Sequence, residues 1–396
     1  MTTTTPEKAP LTMANAMNWL RSNLFDGVSS SLLTVVTATI LGFIVYGLLK
    51  FVFVDAEWAV IDVNKRLIFL GRYPSAEVWR VWPPLILVFA LGGLSYGLLA
   101  AASRRDIVWL SVIVVFILAF LAQGQTGVLF AIAVITAIAL YFLGRWSQDR
   151  PRLKSKIRRF VIVGWFLLIP FAVIMIAAFG GVRPALWGGL LLNVLLAVIG
   201  IGVGLPLGIF LALGRASSLP VLKGVSTAII EITRGGPLVA WLFISRFVFP
   251  EFIPEAIQPD PIVSAMIIVS LFTGAYIAEI VRGGLQSVDP GQAEAAHALG
   301  LSSVTITVFI VLPQAIKAVI PALISQMISL WKDTTLFSVL SFTDALGGAQ
   351  AAIAQPAFIG RQQEALLFIA LLFWSGSLGM SRLSNRFERT LGIGER

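Results

Sequence analysis

The string Glu-Ile-x-Arg-Gly-Gly occurs twice in this chain, from Glu231 and from Glu279. In each copy the acid and the base stand three residues apart, so on a helix they share a face and can pair: Glu231 with Arg234, Glu279 with Arg282. An arginine near the middle of a membrane helix costs about 3 kcal/mol to insert, where a leucine gains about 0.5, so it needs a partner or a water-filled cavity. Directly after Arg234 come Gly235, Gly236 and Pro237, which interrupt a helix and free backbone groups that lipid cannot satisfy. Broken helices at membrane depth line cavities. Two readings follow. In one, Arg234 and Glu279, supported by Glu231 and Arg282, hold the carboxylate and ammonium of a zwitterionic ligand. In the other, the four charges pair internally and set helix register, the better reading for Arg282. Lys332 and Asp333, followed by Thr334 and Thr335, make a third acid-base pair suited to gating or subunit contact, with a snorkelling interfacial lysine as the alternative.

A different signal runs from Asp289 to Pro313. Asp289 is a good N-cap, Pro290 suits the first helical position, and Gln292 stands third, where a capping box takes Glu or Gln. Gly300 supplies a left-handed stop. The spacing predicts a short alanine-rich helix over 290–299, delimited at both ends. A loop that merely joins two membrane helices needs no such punctuation, whereas a rigid knob that pushes on a partner does.

The elements that carry these residues are membrane helices. Hydrophobic residues make up 58% of the chain and charged residues 12%, and the apolar residues gather in blocks of about twenty, the length that crosses a hydrocarbon core roughly 30 Å thick. The expected fold is an all-α integral membrane protein with about ten spans, in the range eight to ten. They are placed at 31–54, 83–102, 107–122, 125–143, 159–179, 186–213, 225–248, 262–281, 305–328 and 365–381. Only Gln123, Gly124 and Gln125 separate the third from the fourth. The formal charge of +9 lies mostly in short inter-helix segments, which positive-inside topology explains without nucleic acid. Arg145, Arg150, Arg152, Lys154, Lys156, Arg158 and Arg159 crowd one such segment; fixing it inside puts both termini in the cytoplasm and 55–82 in the periplasm.

That basic segment also divides the chain. Before it lie a cytoplasmic segment, 1–30, and an N-terminal membrane extension, 31–180. After it comes the working core, 186–382, and a cytoplasmic tail, 383–396. With no cysteine and one histidine, His297, thiolate and imidazole chemistry have almost nothing to draw on, and no metal site or cofactor is expected. A membrane enzyme would need clustered metal or acid-base ligands, and none are found.

Glu294, Ala295, Ala296, Gly300, Ile310, Leu312 and Pro313 resemble, at the family spacing, the EAA loop of ATP-binding-cassette (ABC) importer permeases. The strings 230–238, 274–284, 291–301, Leu312-Pro313-Gln314-Ala315 and Lys332-Asp333-Thr334-Thr335 are similar to the branch that carries polar amino acids. Gly236 and Thr335 depart mildly from it, standing where threonine and serine are usual. The extension resembles that of general L-amino-acid uptake permeases.

The resemblance implies a type I importer core of five helices. Its helix 290–299 would be a coupling helix that docks on a cytoplasmic ATPase, with Glu294 at the contact and Asp289, Gln292, Ala295, Ala296 and Gly300 shaping it. It implies a bacterial inner-membrane subunit, not an enzyme, that translocates L-amino acids by alternating access. Its partners would be a cytoplasmic ABC ATPase dimer, a periplasmic amino-acid-binding protein and a second permease subunit, a related chain or a second copy. No Gly-Lys dipeptide occurs, so a phosphate-cradling loop must come from another polypeptide. The alternatives are a gradient-driven secondary transporter, which would lack the capped helix, and a permease for another small polar solute.

Overall fold

The computed structural model describes residues 13–99 and 125–390. Among the described residues there is no strand, only an isolated bridge between Gly189 and Asp344. Among the described residues eight helices are long and apolar enough to cross a membrane, or nine if one bent pair counts as a single span. The helix expected at 107–122 lies outside the described residues, as does 391–396 of the tail.

The chain divides into two compact units, 1–59 and 60–396. In the first, α1 (Met13–Leu24) and α2 (Val28–Lys50) are joined by a short turn that Thr34 Oγ1 closes with a 2.8 Å bond to the Leu24 carbonyl. α2 runs into a π-helical turn, Phe51–Asp55, and buries none of its residues. A uniformly apolar surface of that kind is what lipid solvates.

The second unit opens with α3 (Ala59–Leu70), α4 (Trp82–Leu99), α5 (Gln125–Trp146) and α6 (Pro151–Ala177). Then come α7 (Gly189–Arg215), α8 (Pro220–Gly235), α9 (Leu238–Phe243) and α10 (Phe249–Phe252). α11 (Pro261–Ser287), α12 (Pro290–Ala298), α13 (Ser303–Ile306), α14 (Leu312–Asp333), α15 (Ala345–Ile353) and α16 (Gln362–Thr390) complete it.

The span placed at 225–248 starts earlier, at Pro220, and is interrupted where Gly235, Gly236 and Pro237 were expected to break it: α8 meets the following helical run, Leu238–Phe252, at 101°. Pro237 has no N–H to give and forces the residue before it out of the α region, and Gly236 accordingly sits extended at φ −113°, ψ 153°.

α7 and α11 form the centre of the core. Gly200, Gly204 and Gly208 recur every four residues along one face of α7, and a Cβ on any of them would collide with Val269, Thr273 or Ile277 of α11. Membrane helices gain little from hydrophobic burial against lipid, so backbones brought close by small residues supply packing instead.

The stretch 55–82, expected in the periplasm, carries part of the buried core. α3 buries Val60, Ile61 and Ile68 completely, and Tyr73 follows them into the core. These positions repeat at helical spacing, while Asp62, Lys65 and Arg66 take the other faces. α3 is locked to the C-terminal half by a 2.8 Å bond from Gln355 Nε2 to Asn64 Oδ1. Backbone contact adds to this, since Gly189, at φ +58°, leaves no room for a side chain beside Phe69 and Leu70. Arg80 ties the same segment to the end of α6 through the carbonyls of Met175, Ala178 and Phe179.

A buried polar joint lies beside it. Asn193 Nδ2 donates to the Thr334 carbonyl, to Thr334 Oγ1 and to Asp344 Oδ2 at 3.1–3.2 Å, and Asn193 Oδ1 accepts from Ala345 N at 2.9 Å. Asp344 also caps α15, accepting from Gly347 N at 2.9 Å. Asp344 is fully buried and, among the described residues, has no cation beside it. Burial pushes its carboxyl up to about 6, partly offset by these donors.

A carboxyl raised in the folded state binds its proton more tightly there than when unfolded, so its favourable contribution is complete below about pH 4 and is lost as pH rises through about 6. Thermal unfolding of the purified protein should therefore show stability falling across that window. Asp344→Asn should abolish that component of the pH dependence; an unchanged profile in the variant would assign it to other groups.

Candidate functional site

α7, α8 and α11 converge on one carboxylate. Glu279 Oε1 receives Arg215 at 2.6 Å, and Glu279 Oε2 receives Arg282 at 2.9 Å and Arg234 at 3.6 Å. Arg282 Nε also reaches both oxygens, at 3.0 and 3.2 Å. Arg215 reaches further to Glu231, 2.8 Å away. The cluster is thus three guanidinium groups around two carboxylates, with one positive charge in excess. Glu279 is the least exposed member, its side chain 17% accessible, and Glu231 the most, at 56%.

Of the two pairs expected at three-residue spacing, the structure forms one. Glu279 and Arg282 meet along α11, but Glu231 turns to Arg215 of α7 and Arg234 turns to Glu279. The reason lies at the break: Arg234 sits in the last turn of α8, where it leans across to α11 and covers the Tyr276 ring, 5.2 Å from its centroid. Trp241, just past the break, bonds back to the Thr233 carbonyl at 3.0 Å and holds that corner. Arg234 Nε is buried there and has no hydrogen-bond partner among the described residues.

Arg215 was missed in the sequence because it closes a long apolar run and reads as an ordinary inner-end cation. Its partners are 16 and 64 residues away, beyond any local spacing rule. Asn193 was missed for a similar reason. Its only signal was being an amide inside an otherwise apolar block.

Lys332 and Asp333 end α14, but no ion pair of 4.0 Å or less joins them among the described residues. Side chains of consecutive helical residues diverge by about 100°, so adjacency in sequence does not make a pair. Instead Thr335 Oγ1 bonds the Lys332 carbonyl, and Thr334 enters the Asn193 joint.

The capped helix is α12, over 290–298. Asp289 Oδ1 accepts from Gly291 N at 2.8 Å. Gln292 does not close a capping box: its Oε1 lies 3.5 Å from Gln314 Nε2 on α14, so it faces that helix. At the other end Gly300, at φ +76°, donates to the His297 carbonyl, and Leu301 N donates to the Ala296 carbonyl. This paired closure seals the last turn. Ala296 is buried, while Glu294, Ala295 and His297 are exposed. Leu299, Val304 and Phe309 are exposed nearby. The helix therefore presents a short, mixed polar and apolar surface on a rigid support.

An apolar helical core, a broken helix and a projecting capped helix define a membrane transport subunit, and comparison with known proteins gives its family. Residues 204–393 match the family described as binding-protein-dependent transport system inner membrane component. The inner membrane amino-acid ABC transporter permease protein YhdY of Escherichia coli K12 is 32% identical, over 98% of this chain and 96% of that protein. The glutamate/glutamine/aspartate/asparagine transport system permease protein BztC of Rhodobacter capsulatus is 33% identical over the same shares, 98% and 96%. The probable glutamine ABC transporter permease GlnP of Bacillus subtilis matches 51% of this chain and 92% of its own length at 32% identity. The chain belongs to the family of amino-acid ABC transporter permeases: it is a multi-pass transport subunit, and ATP is hydrolysed by a separate polypeptide. The extension is shared with the two long relatives.

Glu279→Gln would leave Arg282, Arg215 and Arg234 without their common counter-charge. The expected loss of stability is about 3 kcal/mol, the scale for breaking a largely buried ion pair. Glu231→Gln, at an exposed position, should cost no more than about 1 kcal/mol. Denaturation of the two variants in the same detergent checks the ordering, and equal losses would refute the central place given to Glu279.

Proposed function

We propose that this permease carries polar L-amino acids over a broad range into the cytoplasm, the acidic residues and their amides among them, by alternating access. A periplasmic binding protein delivers the solute, a cytoplasmic ATPase dimer drives the cycle, and a second permease subunit, a related chain rather than a second copy, completes the pathway. Both termini face the cytoplasm in the inner membrane.

The single observation that carries the coupling role is α12: nine residues capped at both ends, anchored by Ala296, with Glu294 outward. A force applied to a frayed helix would be dissipated in unwinding; one applied to a capped helix moves α11 and α14, to which it is joined. In this role Glu294 and Ala295 meet the ATPase, Ala296 anchors the helix, and Asp289, Gln292 and Gly300 set its shape. Nucleotide binding can shift the permease only by the difference in free energy between its two states, so the helix must transmit that difference without deforming.

The surplus positive charge of the Glu279 cluster supports the substrate reading. Arg234 holds Glu279 at 3.6 Å, the longest of the cluster's ion pairs, and keeps a buried, unpartnered Nε. It is the guanidinium best placed to exchange Glu279 for a substrate carboxylate, while Arg215 and Arg282 keep Glu279 fixed and Glu231 steadies Arg215. Lys332 and Asp333, at the far end of α14, serve the outer gate or the contact between permeases. BztC, named for glutamate, glutamine, aspartate and asparagine, is consistent with that solute class.

Reconstitution of the full importer into proteoliposomes tests both roles. Glu294→Lys should lower ATP-driven uptake by roughly tenfold or more, the effect of a charge reversal at an interface hot spot, with insertion and solute affinity unchanged. Uptake at the wild-type rate would remove the coupling role. Arg234→Gln should instead raise KM while the nucleotide-hydrolysis rate without solute stays the same; an unaltered KM would leave the cluster with a purely structural role.

A further inference from the structure

Between Arg150 and Arg159 the chain carries six basic residues and no acidic one. Arg150 stacks on Trp146, 3.7 Å from the ring centroid. None of the six forms an ion pair among the described residues. Topology signalling requires positive charge at this end of the span, but it does not require the charges to share a face. Here three of them do. Arg152, Ser155, Lys156 and Arg159 follow one another at helical spacing and line a shallow, widely open groove on the exposed face of α6, whose continuation is Phe160 and Val163. The same face runs on through Phe166 and Leu167, both exposed.

The chemistry along this face changes in one direction. Three cations and a hydroxyl occupy its first nine residues, at the positive end of the α6 dipole, and only apolar side chains follow on this face. From Arg159 to Pro170 the helix rises about 16 Å, close to the thickness of one hydrocarbon leaflet. A free anion would use the first half of this surface and leave the second without purpose. An amphiphile with an anionic head and acyl tails uses both.

We propose that the Arg152, Lys156 and Arg159 face of α6 is a binding site for an anionic glycerophospholipid of the inner leaflet, the phosphate held by the three cations and Ser155 and the tails lying on Phe160, Val163 and Phe166. The site belongs to the junction between the extension and the importer core, because α6 packs on α4 before it and on α7 after it. A lipid held there fills the flank of that junction with a fixed group in place of exchanging solvent lipid. The inference does not depend on the solute carried.

The test uses the full chain in nanodiscs of equimolar phosphatidylglycerol and phosphatidylcholine, followed by native mass spectrometry of the lipids that remain bound. The wild type should retain phosphatidylglycerol over phosphatidylcholine by about tenfold, in line with juxtamembrane basic clusters. The triple variant Arg152→Gln, Lys156→Gln, Arg159→Gln should bring the ratio near unity. A second triple variant, Arg150→Gln, Lys154→Gln, Arg158→Gln, removes the same charge from outside the groove and should keep the preference. Equal loss in both would show that net charge alone attracts the lipid and would overturn the site, as would retention in the first. Should the first variant fail to insert, photo-crosslinking of the wild type with phosphatidylglycerol bearing a diazirine tail decides. Labelling concentrated on 160–167 supports the site, and labelling spread evenly over the lipid-facing helices refutes it.

Discussion

A single carboxylate shared by three guanidinium groups governs the geometry of the permease core. Glu279 cannot be removed from water as an isolated charge without a penalty of several kcal/mol, and neither can Arg215, Arg234 or Arg282. Bringing them together solves all four problems at one point, and the solution is available only when α7, α8 and α11 stand in one register. Shifting α11 by one residue would rotate Glu279 by about 100° away from its partners. The electrostatic requirement therefore acts as a registration device for three helices whose apolar surfaces alone would permit many arrangements.

Close packing makes that registration rigid. The glycine face of α7 lets α11 approach until backbone meets side chain, and the Asn193 joint fastens the other end of α7 to Thr334 and Asp344. α7 is thus held at both ends by polar groups and along its length by dispersion contacts. The extension uses the same means. α3 enters the core beside Gly188 and Gly189 and is closed in by the Asn64 to Gln355 bond, so residues 60–73 help to build the core's own interior. This explains why the extension is more than an added set of spans.

How much of this could be read in advance depended on the range of the interaction. α12 was legible almost to the residue because Asp289, Pro290 and Gly300 act on their immediate neighbours. The break at Gly235 to Pro237 was legible for the same reason, whereas its 101° angle was not, being set by how Arg234 and Trp241 engage α11 and the turn of α8. The Glu279 to Arg282 pair followed from spacing along one helix. Arg215, Asn193 and the burial of α3 did not, since each depends on a partner more than sixty residues away, and a single sequence carries no record of such meetings. The Gly200, Gly204, Gly208 spacing, by contrast, is a local signal of close helix packing.

The same division of ranges bears on how the molecule can work. Elements fixed by local rules, such as the caps of α12, do not depend on distant partners, which suits the force-bearing role proposed for that helix. Elements fixed by distant partners can be exchanged when a competitor for those partners arrives. Three guanidinium groups hold Glu279 and Arg234 holds it least closely, so in the proposed substrate role a solute carboxylate drawing Arg234 away would leave Arg215 and Arg282 to keep Glu279 neutralised. The hub can then lose one arm without exposing a bare charge. A cluster of matched pairs would have no such spare contact, and releasing any one of its members would strand a carboxylate in a low-dielectric interior. The excess cation is what the proposed substrate role would draw on, while the remaining pairs keep the region a structural anchor.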